Sequence, residues 1–103
     1  MTRTVVWSRD ALDDLKAQVA YISVDNPSAS QRVARAIQDA ASALSSIPTG
    51  RPGRVAGTYE KSVNRLPYII AYSISTNGEN ETLAIVRVIH SARDWPTGKW
   101  PKT

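Results

Sequence analysis

The chain has 103 residues, a net charge of +4 and a pI near 9.8, with 42% hydrophobic and 21% charged residues. That is the profile of one globular domain over residues 1–103. No cysteine and a single histidine exclude a disulfide framework, a thiol nucleophile and a thiolate or multi-histidine metal cluster.

No stretch approaches the roughly 20 apolar residues of a membrane span. The N-terminus lacks a signal peptide's apolar core and cleavage site, so a cytoplasmic location is expected. The charge is uneven. Residues 1–50 hold five basic and five acidic side chains, whereas residues 51–103 hold eight basic and four acidic. The second half therefore suits an anionic partner, either nucleic acid or an acidic protein segment.

Thr4 to Trp7 reads as a first strand. Ser8 suits the N-cap of a helix over about Arg9–Val24, with Asp10 complementing the helix dipole. Leu12, Leu15, Val19 and Ile22 recur at steps of three and four, giving one apolar face. Asn26-Pro27 caps a second helix over roughly Pro27–Ser46, with Ser28 and Gln31 as a competing capping box. Its apolar stripe is Val33, Ile37, Ala40, Leu44 and Ile47. Both stripes read as core, and the short linker makes the pair a helical hairpin.

Gly and Pro mark residues 48–57 as a loop, which carries Arg51 and Arg54 with no packing reason for their charge. A second strand follows at Tyr59–Val63, including Lys61, and a third at Tyr68–Ser75. Asn77-Gly78 signals a hairpin turn into a fourth strand, Leu83–Ile89. In that strand Arg87 shares its parity with Leu83, Ile85 and Ile89, while Ala84, Val86 and Val88 take the other. Burying an unpaired guanidinium is costly. Arg87 is therefore either an anchor for an anionic group or one half of a structural pair, with Asp94 or a backbone carbonyl.

The strand runs into a polar cluster of His90, Ser91, Arg93 and Asp94, followed by Trp95. His90 reads either as a structural hydrogen-bonding group or as a proton-transfer group. Trp95 is either a packing lid or a target contact. Tyr68 and Tyr72 read as core. The order β-α-α-β-β-β indicates α+β: an N-terminal helical hairpin packed on one face of a mainly antiparallel sheet, with the other face left relatively open.

Several segments, in order, resemble the RelE/ParE superfamily of type II toxin–antitoxin toxins. These are Val6-Trp7-Ser8 with Ala11, Leu12 and Leu15; Tyr21-Ile22 with Asn26-Pro27 and Ala34; Arg51-Pro52-Gly53-Arg54; Leu66 to Tyr72; and Val86 to Trp95. The resemblance spans nearly the whole chain and implies the RelE/ParE toxin fold and a cognate antitoxin; nothing in the sequence indicates a metal or organic cofactor.

The superfamily implies two activities. RelE-like members cleave mRNA on the ribosome, and ParE-like members inhibit DNA gyrase. Nuclease members often carry an arginine after the tyrosine of the third strand, where this chain has Ile69. Isoleucine offers a scissile phosphate neither charge nor hydrogen bond. The resemblance is therefore ParE-like. It implies a gyrase-inhibiting toxin without catalytic residues, with Arg51, Arg54, Arg87, His90, Arg93 and Trp95 as target- or antitoxin-binding candidates. Under the alternative, a RelE-like mRNA endoribonuclease, the catalytic candidates are Arg54, Lys61, Arg87 and His90.

Overall fold

A computed structural model describes residues 3–92. It contains β1 (Thr4–Trp7), α1 (Arg9–Ser23), α2 (Pro27–Ala43), β2 (Arg51–Pro52), β3 (Tyr59–Ser62), β4 (Tyr68–Asn77) and β5 (Asn80–His90). The sheet order is β1-β5-β4-β3-β2. Among the described residues, β1 runs parallel to its neighbour and the other pairings are antiparallel. The expected α+β arrangement is present, with the two helices on the sheet. The two-residue β2 adds a strand inside the segment read as a loop.

Local chemistry sets the element boundaries. The Ser8 hydroxyl accepts from the Ala11 amide at 3.0 Å and starts α1. Asn26 Oδ1 accepts from the Ala29 amide at 3.0 Å, and Pro27 opens α2. The Asn26-Pro27 cap thus prevails over the Ser28–Gln31 box. Helix α2 ends at Ala43, before the expected Ser46. Ile47 consequently leaves the apolar stripe and is 66% exposed. In the β4–β5 hairpin, Asn77 pairs with Asn80, and Gly78 adopts a φ of 64° that glycine takes without strain.

The core joins Ala11 and Leu15 of α1 and Ile37, Ala41 and Leu44 to one sheet face made by Tyr68, Ile70, Tyr72, Leu83, Ile85 and Val88. Burying such side chains stabilises a fold by about 1.5–3 kcal/mol each. The face of α1 is rotated from the expected stripe, because Ala11 is buried while Leu12 is exposed.

The parity expected for β5 fails at a bulge. Tyr72 pairs with Ile85 but Ala71 pairs with Arg87, so Val86 is an extra residue. Leu83 and Ile85 therefore share the helix-facing side with Val88 and His90. Ala84, Arg87 and Ile89 register with the other side. That second side is less open than expected: Ile69, Ala71 and Ile89 are all buried, and Ile69 and Ile89 are direct cross-strand partners.

Candidate functional site

The bulge sits where β1 gives way to α1. The Ser8 amide donates to the Ile85 carbonyl at 2.9 Å, and the Ser8 hydroxyl donates to the Val86 carbonyl at 2.9 Å. One hydroxyl thus caps a helix and satisfies the bulged carbonyl. Beyond Ile85 the strand has no β1 partner. Asp14 of α1 takes that place. Its Oδ2 accepts from the Val88 amide at 2.9 Å and from Arg87 Nε at 2.8 Å, and its Oδ1 accepts from Arg87 Nη2 at 3.2 Å.

This fork geometry fixes both side chains, which are only 9% (Asp14) and 12% (Arg87) exposed. The Asp14 hydrogen bond holds Arg87 above the usual guanidinium range, against the opposing effect of burial. Of the two readings of Arg87, the structural pair is present, and its partner among the described residues is Asp14.

A second cluster lies at the opposite edge of the sheet. Glu60, in β3, is buried on the parity of Ala71. Its Oε2 accepts from the Arg54 amide at 2.8 Å. Arg54 Nε lies 3.9 Å from Oε2, and Arg51 Nη2 lies 3.7 Å from Oε1. Arg51 and Arg54 therefore converge on one buried carboxylate while keeping exposed side chains. Lys61 takes the opposite parity, as the partner of Ile70.

The third cluster is the end of β5. His90 registers with Tyr68, and the two rings meet edge to face at 5.4 Å. Tyr68 Oη donates to Gln18 Oε1 at 3.4 Å, a long contact. His90 Nδ1 accepts from the Ala92 amide at 3.2 Å. His90, Gln18, Tyr21, Ala17 and Ala92 line a groove of about 450 Å³.

The four residues of the nuclease set are thus dispersed. Arg54 meets Glu60, Lys61 shares the parity of Ile70, Arg87 is clasped by Asp14, and His90 lies against Tyr68 and α1. Arg93 and Trp95 lie outside the described residues, as does Asp94. Asp14 and Glu60 were missed by the sequence reading. The need of a mid-strand arginine for a counter-charge was a signal for Asp14. An acidic residue inside a short strand was the signal for Glu60. No group of three or more potential metal ligands occurs among the described residues, and no helix there is long and apolar enough to cross a membrane.

The family described as the ParE toxin of the type II toxin–antitoxin system parDE matches residues 5–95. This chain belongs to the ParE toxin family. It is 39% identical over 95 residues to the protein Y4kP of Sinorhizobium fredii, covering 91% of this chain and 94% of that one. It is 38% identical over 90 residues to the toxin RelE2 of Caulobacter vibrioides, covering 86% and 96%.

The fold also matches a chain of the chromosomal ParDE toxin–antitoxin system of P. aeruginosa, with a TM-score of 0.77 at 20% identity over 86% of this chain and 96% of that one. A YoeB/ParE toxin from Agrobacterium tumefaciens gives 0.58 at 17% identity over 84% and 97%. The ParE-family chain is thus a toxin of a type II toxin–antitoxin system, and its expected RelE/ParE toxin fold is present. The relatives' names span both branches of the superfamily.

Proposed function

We propose that this ParE-family toxin acts in the cytoplasm by binding and inhibiting DNA gyrase, without catalytic residues of its own, and that a cognate antitoxin protein neutralises it. The observation that carries this reading is the dispersal of Arg54, Lys61, Arg87 and His90. General acid–base cleavage of RNA needs a proton acceptor, a proton donor and a phosphate-binding cation within a few ångströms of one scissile bond. Here Arg87 is held by Asp14, Lys61 takes the parity of Ile70, and the Arg54 amide meets the side chain of Glu60, which takes the opposite parity. Ile69, at the position where nuclease members often place arginine, is buried. A poison that works by surface contact needs none of this convergence.

The test is a supercoiling reaction with purified gyrase beside an in-vitro translation reaction read for mRNA cuts. Loss of supercoiling with intact mRNA is expected. Translation-dependent cuts with normal supercoiling would establish the ribosome-dependent endoribonuclease instead.

A further inference from the structure

A groove of about 410 Å³ separates α2 from the β3–β4 turn. Arg32, Val33 and Ala36 line it on the helix side, and Arg65 and Leu66 on the turn side. Its floor is apolar. Arg32 and Arg65 are exposed at its two rims, and Arg35 follows Arg32 one turn on and lines the adjoining surface. Among the described residues, none of these three guanidiniums has an ion-pair or hydrogen-bond partner. No acidic side chain among the described residues lines the groove.

The turn that presents Arg65 is strained. The Leu66 amide donates to the Val63 carbonyl at 3.2 Å, closing a β-turn. Arg65 sits at its third position with a φ of 64°, the one non-glycine residue with positive φ among the described residues. A side chain there is strained relative to glycine. Arginine nevertheless stands where glycine or asparagine fits the turn better.

We propose that this groove receives an acidic amphipathic segment of a partner protein, its apolar side chains on Val33, Ala36 and Leu66 and its carboxylates on Arg32, Arg35 and Arg65. Charge complementarity selects the occupant. Three guanidiniums with no ion pair among the described residues match carboxylates in paired, forked hydrogen bonds. An apolar floor adds nothing for a phosphate backbone but holds the leucine or isoleucine anchors of a helix laid in a groove. Naming the antitoxin as the source of that segment rests on the reading above; the chemistry of the groove does not.

The probe is a fluorescein-labelled synthetic peptide with leucines at i, i+3 and i+7 and glutamates flanking them. A peptide with glutamine for glutamate and a short single-stranded oligonucleotide are the comparison arms, each titrated into the full chain. The acidic peptide is expected to bind, to shift the amide resonances of Ala29, Arg32, Ala36 and Leu66, and to lose affinity with salt. The pair Arg32→Gln and Arg65→Gln should weaken it about tenfold, the scale of two exposed charge pairs, while Arg9→Gln on α1 leaves it unchanged.

Arg65→Gly separates binding from folding: it relieves the turn, so the melting temperature holds or rises while the peptide binds more weakly. Absent binding, shifts elsewhere, equal affinity for the Arg32→Gln/Arg65→Gln protein, or preferential filling of the groove by the oligonucleotide would each overturn the proposal. Loss of supercoiling inhibition in the gyrase reaction bears on the toxin's target, and none of these binding readouts depends on it.

Discussion

The carboxylate of Asp14 and the guanidinium of Arg87 meet 2.8 Å apart across the edge of β5, and the same carboxylate oxygen accepts the Val88 amide at 2.9 Å. One side chain therefore does two things at the point where β1 ends. It satisfies an edge amide that no described strand pairs with, and it neutralises a largely buried cation. Unpaired strand edges invite pairing with other chains. Here a helix side chain closes the edge.

Asp14→Ala should cost about 3 kcal/mol, because it strands both the amide and a largely buried cation. Arg87→Ala should cost less, since Asp14 retains the Val88 amide. The two losses should not add: the double mutant should fall short of their sum by about 1–3 kcal/mol. Urea titrations of the four proteins read this directly, and additive losses would mean that the two groups act independently. The same measurement guards the gyrase and mRNA assays, because an inactive Arg87→Ala protein is informative only if it remains folded.

Glu60 anchors the 53–58 segment mainly through one backbone hydrogen bond. The arginine contacts, at 3.7 and 3.9 Å, are at the outer limit of an ion pair and involve exposed guanidiniums. Glu60→Gln, which keeps an acceptor for the Arg54 amide, should cost less than about 1 kcal/mol. Glu60→Ala orphans that amide and should cost about 1–3 kcal/mol. Hydrogen exchange at Arg54 is the local readout: fast exchange in the alanine variant and near-native protection in the glutamine variant.

Gly50 is fixed by a close approach. It has a φ of 140°, and a Cβ there would stand 2.7 Å from the Glu60 carbonyl oxygen and 3.1 Å from the Tyr72 hydroxyl oxygen. Gly50→Ala should destabilise by about 2 kcal/mol or more. Gly57 also has positive φ, but a Cβ there meets nothing within 4 Å, so Gly57→Ala should cost only about 1 kcal/mol. Melting curves of the two variants separate the clash from the backbone strain they share.

Burial pushes the Tyr68 and Tyr72 hydroxyls above their ordinary value of 10.0. For Tyr72 the neighbouring Tyr59 adds to the rise and Arg3 partly opposes it. The unfolded chain gives up these protons first. Their contribution to stability is therefore complete below about pH 10 and falls as pH rises through the folded values. Denaturation midpoints should decline above about pH 10, alongside tyrosinate absorbance.

Tyr72→Phe should lower stability at neutral pH by about 1 kcal/mol, since the hydroxyl contacts the Thr49 and Pro48 carbonyls at 2.8 and 3.2 Å. It should also flatten the alkaline decline. An unchanged alkaline slope would place that titration elsewhere. Arg87 adds nothing to this window, because its charged form is favoured further by Asp14.

The sequence by itself determined the elements, because their signals are local. Ser8 and Asn26-Pro27 start helices by capping amides three residues away. The Asn77-Gly78 turn and the alternation of Tyr68, Ile70 and Tyr72 define a hairpin and its core side. The ordered motifs from Val6 to Trp95 carried the family resemblance.

Only the tertiary structure decided which charges are available. One inserted residue at Val86 switched the side of everything after it in β5, and a strict two-residue period cannot register that switch. Asp14 reached Arg87 across 73 positions of sequence because β1, parallel to β5, ends where α1 begins. Arg32 and Arg65 came to face one groove because α2 lies beside the β3–β4 turn. Charge pairing depends on distances in space, and spacing along the chain does not encode them.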